Sequence, residues 1–240
     1  MESLNGKTAL ITGAGKGLGK AIALALAAEG VHLALLSRTK TDLQQLTDQI
    51  GKEYPAIRVA FTTADIADNA AVEKAVADLT ERIGAIDILV NNAGIGQFGK
   101  FLELEVADWE NIIRVNVLGT YYVTRAVLPQ MLERQAGDII NVASSAANSA
   151  GAVTSAYSAS KAAVVAMSTS LMQEVRKSNI RVSTYTPSTI ASELSINLNL
   201  TDGNPERVLQ PEDFAELVVA HLRLNRRAFV KDAGLWSVNP

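Results

Sequence analysis

The 240-residue chain has no cysteine and only two histidines, His32 and His221. Without cysteine, disulfide bonds, thiolate catalysis and cysteine-ligated metal sites are excluded, and two histidines cannot form a histidine-rich metal site. The chain also lacks an excess of positive charge, since its formal net charge is −3 and its isoelectric point is near 5.5. A clustered basic surface is typical of general nucleic-acid-binding proteins, so no nucleic-acid partner is expected.

Long hydrophobic runs are missing as well. No apolar stretch reaches the ~18 to 20 residues that span a bilayer, and segment 1–13 lacks the charge pattern and cleavage site of a signal peptide. Apolar residues make up 48% of the chain and charged residues 20%, which is typical of a globular protein. We expect a soluble cytoplasmic protein in which 1–240 form a single domain, with no membrane partner.

Short apolar runs alternate with helical patterns along the whole chain. The runs are continuous, as in parallel strands that helices cover on both faces. Strands are predicted at 7–12, 31–37, 56–64, 86–92, 137–144 and 180–187, with a short edge strand at 227–232. Helices are predicted at 17–29, 40–52, 69–83, 108–133, 155–177 and 211–224. The pattern predicts a doubly wound Rossmann fold of the α/β class, a mostly parallel seven-stranded sheet with helices on both faces.

Segment 188–210 interrupts this alternation. Its helical pattern is weak and includes the turn residues Asp202, Gly203, Asn204 and Pro205. The segment follows the carboxyl end of a predicted strand, where open α/β sheets bind their ligands. We predict a substrate lid here, and a purely structural excursion is the alternative.

Four glycines lie within seven residues between the first predicted strand and helix. They do not fit the G-x-G-x-x-G spacing, but Thr12, Gly13, Gly17 and Gly19 fit T-G-x-x-x-G-x-G. Glycine lets the backbone approach a ligand closely, and the following helix N-terminus can bind a pyrophosphate. The turn therefore predicts a dinucleotide site, for which a tight turn without a ligand is the alternative. The candidate contacts are Gly13, Gly15, Lys16, Gly17, Leu18 and Gly19.

The second strand ends in "LLSRT", with Ser37 and Arg38 and no acidic residue. An NAD site offers Asp or Glu to the ribose 2′-hydroxyl at this distance from the glycines, whereas an Arg accommodates a 2′-phosphate. Lys16 in the glycine turn adds a second cation. The sequence therefore predicts NADP(H) as the cofactor.

Tyr157 and Lys161 are four residues apart at the start of a predicted helix, so they lie on one face. A neighbouring ammonium, together with an oxidised nicotinamide ring, would lower the pKa of the phenol and suit it to acid–base catalysis. Ser144 ends a predicted strand and could orient the same oxygen. Taken alone, such a Tyr/Lys pair is more often a pair of surface residues.

Five blocks together resemble the short-chain dehydrogenase/reductase family. They are "TGAGKGLG", "NNAG" (91–94), Asn116 in "RVNVLG", Ser144 and "YSASK" (157–161). Order and spacing agree over nearly the whole chain, and the likeness is greatest to bacterial 3-oxoacyl-carrier-protein reductases and related carbonyl reductases. The resemblance implies NADPH-dependent hydride transfer to a small ketone or aldehyde. It also implies a dimer or homotetramer formed through helices 108–133 and 155–177.

The resemblance also implies catalytic roles. Tyr157 is the general acid/base, and Ser144, thirteen residues before it, bonds the substrate oxygen in preference to Ser145. Lys161 lowers the pKa of the tyrosine and holds the nicotinamide ribose. Asn116 supports a proton-relay water that leads to Lys161.

Further residues are implied around the cofactor. Asn91 is expected beside it, and Asn92–Gly94 are expected to stabilise the central sheet next to it. Asp65 would contact the adenine amino group, and the Ile190 backbone would contact the carboxamide. The remaining implied contacts are Ile66, Asn92, Ala93, Gly94 and Pro187.

Two departures from the family leave alternatives open. The usual Pro-Gly after the sixth strand is Pro187-Ser188, and the C-terminal Val-Asp-Gly-Gly is missing. Within the enzyme class, a 3-oxoacyl-thioester reductase is the alternative, and it would need a basic entrance for the carrier protein. A sensor or scaffold that binds NADPH without turnover is the alternative of another class.

Outside these blocks, three polar features are interpreted structurally. His32 is expected to pack on the second strand. His221 is expected at the surface or an interface of the last helix, and "NRR" (225–227) is expected to be a solvated helix end.

Overall fold

A computed structural model describes residues 1–238 of the chain. The first strand is apolar on both sides because each side faces a separate core. Ala9 and Ile11 belong to one hydrophobic cluster and Leu10 to the other, and all three are fully buried. Side chains alternate across a strand, so a strand between two helical layers has no solvent-exposed side.

Within residues 1–238 the fold has seven strands and eight α-helices. The strands are Thr8–Thr12 (β1), His32–Ser37 (β2), Val59–Thr63 (β3), Ile88–Asn91 (β4), Gly137–Val142 (β5), Ile180–Tyr185 (β6) and Asp232–Ala233 (β7). The helices are Gly17–Ala28 (α1), Lys40–Glu53 (α2), Asn69–Ile83 (α3), Val106–Ile113 (α4), Thr120–Arg134 (α5), Ser155–Val175 (α6), Glu193–Asn197 (α7) and Pro211–Leu222 (α8).

The sheet order is β3-β2-β1-β4-β5-β6-β7, and every neighbouring pair is parallel. One cluster packs α1, α2 and α8 against one face, and the other packs α3, α5 and α6 against the opposite face. The predicted doubly wound fold is confirmed. Strand order reverses between β1 and β4, and open α/β sheets bind ligands in the crevice at that point.

The helix predicted at 108–133 is interrupted. Segment Arg114–Gly119 between α4 and α5 is a π-helix that continues both. Gly119 lies against Ile66, because a Cβ at Gly119 would lie 2.7 Å from the Ile66 side chain. The π segment therefore brings Asn116 and Gly119 against loops at the carboxyl edge of the sheet.

The predicted edge strand at 227–232 is wrong in position, since β7 covers only Asp232–Ala233. Residues 225–228 form a turn in which the Ala228 amide donates to the Asn225 carbonyl. The buried Arg181 guanidinium holds this turn by donating to the carbonyls of Leu224 and Ala228 at 3.1 Å. The backbone therefore forms a turn at 225–228, which includes the start of the strand predicted at 227–232.

His221 and Arg226 are also not where the sequence placed them, whereas the rest of the "NRR" segment is exposed. His221 is buried, and its ring bonds the Tyr185 hydroxyl. Arg226 donates to Asp138 at 2.6 Å, and the Asp138 carboxylate is itself buried beside Arg181. Both residues satisfy polar groups of the sheet, so neither is a solvated residue of a helix end.

No helix within residues 1–238 is long and apolar enough to cross a membrane.

Candidate active site

The glycine turn connects β1 to α1 by a backbone that side chains would obstruct. Gly13 has φ +65°, and a Cβ there would lie 2.9 Å from the Asn92 amide nitrogen. A Cβ at Gly19 would collide with the Gly13 carbonyl. Such positions favour glycine both by conformation and by space. The crowding comes from the protein's own atoms, so it is compatible both with a ligand cradle and with a tight turn without a ligand.

Thr12 joins the glycine turn to the loop after β4. Its hydroxyl oxygen accepts from the backbone amides of Asn92 and Ala93, both at 3.0 Å. The Asn92 side chain returns a hydrogen bond to the Thr12 carbonyl at 3.0 Å. These bonds close the crevice between β1 and β4 at its base.

Asn91 does not lie beside the cleft, contrary to expectation. It is buried, and its amide donates to Thr124 at 2.9 Å and to Asn141 at 2.8 Å. Asn91 is the last residue of β4 and keeps the alternation of the strand, so its side chain points into the helical layer. Asn91 links the sheet to α5, and Asn92 contacts the glycine turn.

The N-terminus of α1 is open to an anion. Its first turn has no acidic side chain, and the N-cap residue Lys16 makes no side-chain capping bond. The first amides of a helix need an acceptor, and with the helix dipole they bind phosphate groups. This end of the cleft therefore fits the pyrophosphate of a dinucleotide.

Cationic side chains cluster where a 2′-phosphate is expected. A cavity of about 180 Å³ is lined by Gly15, Lys16, Ser37 and Arg38. The carboxylate of Asp42 also lines it, 3.8 Å from the Lys16 ammonium. Asp42 could not be singled out from the sequence, because an acidic residue in a first helical turn is common.

Lys16 also reaches across the cleft to Glu193 of α7, with 3.2 Å between the charged atoms. The hydrogen bond to Glu193 and the nearby Asp42 charge raise the pKa of the Lys16 ammonium. Lys16 is half-exposed and screened by solvent, so each pair is worth little by itself. The contact nevertheless ties the glycine turn to segment 188–210.

Tyr157 and Ser144 meet on the other side of the cleft. Ser144 follows β5 and caps a short 3₁₀ turn, where its oxygen accepts from the Ala146 amide at 3.2 Å. Both side chains line the larger cleft, and the Ser144 hydroxyl is close enough to the Tyr157 phenol to influence its pKa. Burial raises the pKa of Tyr157, and the Ser144 hydroxyl offsets part of that rise. The protein's own groups thus keep the phenol protonated at neutral pH.

Lys161 lies one helical turn beyond Tyr157 on α6, with its ammonium 5.8 Å from the centre of the phenol ring. The side chain is buried and donates to the Val142 carbonyl at 2.9 Å. Burial lowers the pKa of Lys161 to about 8. An ammonium has three donors, so Lys161 retains donors for hydroxyl groups bound in the cleft.

Asn116 stands behind the cleft in the π segment. Its side chain pairs with the Ile95 backbone, accepting from the amide at 2.8 Å and donating to the carbonyl at 2.9 Å. It also donates to Ser160 on α6 at 3.0 Å. Asn116 therefore fixes the loop after β4 against α6, next to Lys161. A Cβ at Gly94 would lie 3.1 Å from Asn116 and 3.4 Å from the Lys161 ammonium.

Ser144, Tyr157 and Lys161 share a larger cleft of about 730 Å³ with part of the glycine turn. This volume is in the range of small-molecule sites. The candidate residues that line one or both cavities are Gly13, Gly15, Lys16, Gly17, Leu18, Ser37, Arg38, Asp65, Ile66, Asn92, Ala93, Gly94, Ser144, Tyr157, Lys161, Pro187 and Ile190. Gly19 and Asn116 do not line either cavity. They lie against lining residues, Gly19 against Gly13 and Asn116 against Gly94.

Segment 188–210 forms one side of this cleft. Its two ends meet, since the Ala191 amide donates to the Leu209 carbonyl at 2.8 Å. Ser192 caps the short helix α7, and the Ser195 hydroxyl binds the Ile190 carbonyl at 2.5 Å. The segment is therefore an ordered loop closed on itself, positioned where the sequence predicts the lid.

The sequence matches the family described as short chain dehydrogenase over residues 7–203. The chain belongs to this family. It is 39% identical over 212 residues to the oxidoreductase UcpA of Salmonella typhimurium, a match that covers 87% of this chain and 80% of that protein. The family prediction is confirmed, and the protein is an oxidoreductase of the short-chain dehydrogenase family.

Solved structures of two other oxidoreductases have the same fold over nearly their full length. An alcohol dehydrogenase of Thermococcus sibiricus, complexed with 5-hydroxy-NADP, has a TM-score of 0.90 at 28% identity, covering 98% of this chain and 97% of that one. L-sorbose reductase of Gluconobacter frateurii, complexed with NADPH and L-sorbose, has a TM-score of 0.89 at 28% identity, covering 100% and 97%.

Proposed function

We propose that the protein catalyses NADPH-dependent reduction of a ketone or aldehyde and the reverse oxidation of the alcohol. The observation that carries the proposal is the meeting of Ser144, Tyr157 and Lys161 in one cleft with the glycine turn. A dinucleotide site and an acid–base pair in the same cleft are what a hydride-transfer enzyme requires.

The residues of the cleft fit a nicotinamide dinucleotide. Asp65, at the end of the smaller cavity, would bind the adenine, and the open N-terminus of α1 would bind the pyrophosphate. Lys161 would hold the ribose next to the nicotinamide. The hydride of the reaction comes from C4 of the nicotinamide when the cofactor is bound.

Tyr157 is proposed as the proton donor. Its raised pKa keeps the phenolic proton in place at neutral pH, so it can be transferred to the carbonyl oxygen during reduction. Ser144, which lines the same cleft, would orient that oxygen. Lys161 carries the positive charge that favours the phenolate left behind.

NADPH is proposed over NADH because Arg38 and Lys16 line the cavity at the end of β2. The sorbose reductase and the Thermococcus alcohol dehydrogenase bind NADPH and an NADP derivative, respectively. Asp42 in the same cavity opposes a 2′-phosphate, so the preference rests on the two cations together.

A homo-oligomer, a dimer or tetramer, is proposed as the assembled form. Helix α6 leaves Ala162 and Ala166 exposed, and Tyr121 of α5 is 47% exposed. Small and aromatic side chains on a helix surface suit helix packing against another copy. Sedimentation equilibrium of the wild type and of Ala166→Arg tests this. A monomeric wild type contradicts it.

The proposed activity is tested by following the absorbance of NADPH, and separately of NADH, with ketones, aldehydes, diketones and 3-oxoacyl thioesters. We expect NADPH oxidation that Tyr157→Phe lowers by roughly 1,000-fold or more, within the range of acid–base catalysis. Tyr121→Phe, outside the cleft, is the matched control and is expected to leave the rate unchanged.

Three outcomes would contradict parts of this proposal. Turnover that survives Tyr157→Phe would exclude the tyrosine as proton donor. Tight NADPH binding with no turnover of any carbonyl would favour the sensor. A thioester far better than every simple ketone would favour the 3-oxoacyl reductase.

A further inference from the structure

The substrate side of the cleft has an apolar wall that the catalytic residues do not account for. Phe98 packs edge-on against the Tyr157 ring, with 5.7 Å between the ring centres. Leu198 lies against Gly96 from the other side, because a Cβ at Gly96 would be 3.4 Å from Leu198 and 3.5 Å from Tyr157. Apolar side chains thus surround the phenol that meets the substrate.

Segment 188–210 extends this wall. Leu194 and Leu198 are four residues apart at α7, so they share a face, and both line the cleft with Leu200. Leu194 and Leu200 are 40% and 47% exposed. Exposed leucines that line a cleft beside a catalytic group indicate that an apolar ligand covers them.

Every charged residue that lines the larger cleft already has a partner or lies toward the cofactor end. Lys16 and Arg38 also line the smaller cavity, where the adenosine end is expected. Glu193 is paired with Lys16. Lys161 is buried, donates to the Val142 carbonyl and is assigned above to the cofactor ribose.

The other polar side chains that line the larger cleft are uncharged. They include Ser145, Ser149 and Thr154. Thr154 is occupied, since it donates to the Gly151 carbonyl at 2.8 Å. Within residues 1–238, the cleft therefore offers no unpaired cation beyond the cofactor end to a substrate carboxylate or phosphate.

We propose that the substrate is an uncharged carbonyl compound whose larger substituent is apolar and contacts Phe98, Leu194 and Leu198. This inference rests on the proposed carbonyl reduction and names its substrate class. A carboxylate against this wall would be buried without a partner, which is costly. A polyhydroxylated ketose would leave hydroxyl groups unbonded against the leucines.

The test compares matched substrates with NADPH. Methyl levulinate and levulinate differ only in that the first is a neutral ester and the second a carboxylate, and we expect kcat/KM to be roughly 100-fold higher for the ester. Between ethyl methyl ketone and butyl methyl ketone, two added methylenes are expected to raise kcat/KM about tenfold. L-sorbose is included as a polyhydroxylated ketone, and we expect it to have the lowest kcat/KM of these substrates.

Variants of the wall assign the preference to these residues. Leu198→Ala is expected to remove most of the gain from the longer alkyl chain, and Leu194→Arg is expected to raise the levulinate rate relative to its ester about tenfold. Ile196→Ala and Ile196→Arg are the matched controls, since Ile196 lies on the same helix, is 48% exposed and does not line the cleft. The controls are expected to keep the wild-type ratios.

A binding measurement separates this inference from the proposed activity. Tyr157→Phe with NADP⁺ is titrated with methyl levulinate and levulinate, and the two Kd values are compared by ligand-observed NMR. Tighter binding of the ester supports the substrate class even if the wild type reduces no carbonyl, in which case only the proposed activity fails. Equal binding, or faster turnover of levulinate or L-sorbose than of the neutral ketones, overturns the substrate class.

Discussion

At the scale of residues, burial shifts the pKa values of two neighbouring groups in opposite directions. The pKa of Tyr157 is raised, and that of Lys161 is lowered to about 8, and the first cause in both cases is desolvation of the charged form. Near pH 7 the phenol keeps its proton and the amine keeps its charge. This protonation state is the one that carbonyl reduction requires.

The lowered pKa of Lys161 predicts how the reaction depends on pH. Because the ammonium is retained below about pH 8 and lost above it, kcat/KM for reduction is expected to fall as pH rises through that value. The measurement is a pH profile of kcat/KM with saturating NADPH, taken where circular dichroism shows the fold unchanged. A level profile up to about pH 10, the ordinary range of lysine, would disprove a role for the Lys161 charge.

Arg38 carries the second prediction at this scale. A charged hydrogen bond to a phosphate contributes about 1.5–3 kcal/mol, so Arg38→Ala is expected to raise KM for NADPH by roughly 10- to 100-fold and to leave KM for NADH nearly unchanged. Arg58→Ala, an exposed arginine outside both cavities, is the control. An equal loss for both cofactors would mean that Arg38 does not contact the 2′-phosphate.

The sequence could bring the proposed catalytic residues together because their spacing is local, whereas it could not place Asn91 or His221. Whether Asn91 or Asn92 faces the cleft depends on the residue at which β4 ends, since each step along a strand reverses the side chain. His221 is buried because Tyr185, 36 residues earlier, offers it a partner. The helical pattern around residue 221 cannot predict a partner that is so distant in the sequence.

At the scale of elements, the glycine turn and its helix form one rigid unit. Gly19 is the first buried residue of α1, and its hydrogens face the Gly13 carbonyl and the Asn92 amide. The unit therefore tolerates no side chain at the point where α1 leaves β1.

Two glycine-to-alanine substitutions test this crowding. Gly19→Ala is expected to push α1 away from Gly13 and to weaken NADPH binding at least tenfold, as overpacking displaces the backbone. Gly51→Ala on α2 has open space around its new methyl group and is expected to stabilise the fold by about 0.5–1 kcal/mol. NADPH titration and urea unfolding measure the two effects. Normal NADPH affinity in Gly19→Ala would show that the turn can accommodate the added methyl group without a change at the binding site.

The π-helix at Arg114–Gly119 is an element that the sequence did not reveal. Its apolar spacing continues that of α4 and α5, so the pattern predicts one helix. The bonds that distinguish the segment are tertiary, namely those of Asn116 to Ile95 and to Ser160. The sequence misplaced strand β7 for a similar reason, because the turn before it is held by Arg181 of β6, a residue distant in the chain.

At the scale of the whole molecule, a buried polar network joins the sheet to its last helix. The Asp138 carboxylate bonds Arg181 and Arg226, and Arg181 donates to the carbonyl of Leu222 at the end of α8. Nearby, His221 is buried against Tyr185. Burial, with smaller contributions from the two arginines, lowers the pKa of His221 to about 4.

This lowered pKa predicts acid sensitivity of the fold. Between about pH 6.5 and 4 the unfolded chain binds a proton that the folded protein excludes. The free energy of unfolding is therefore expected to be unaffected by this group above about pH 6.5, and to fall below it by up to about 3 kcal/mol. Urea unfolding at several pH values measures the slope.

The histidines themselves provide the comparison. His221→Gln is expected to reduce the pH slope by about one proton, whatever its effect on stability at neutral pH. His32→Gln is the control, since His32 is only partly buried and its pKa is lowered less. If both variants kept the wild-type slope, another group would be responsible for the acid sensitivity.

The strand order β3-β2-β1-β4-β5-β6-β7 also lets each strand join a free edge of the sheet in the order in which a ribosome delivers the strands. The first 91 residues contain a complete four-stranded half-sheet, and each later strand joins the edge left by the one before it. A newly synthesised strand therefore never has to insert between two strands that are already hydrogen-bonded to each other. It does expose the bare edge of β4 for the 45 residues made before β5 begins, and an unpaired edge can recruit other chains. That interval of translation is where a chaperone would protect the chain most.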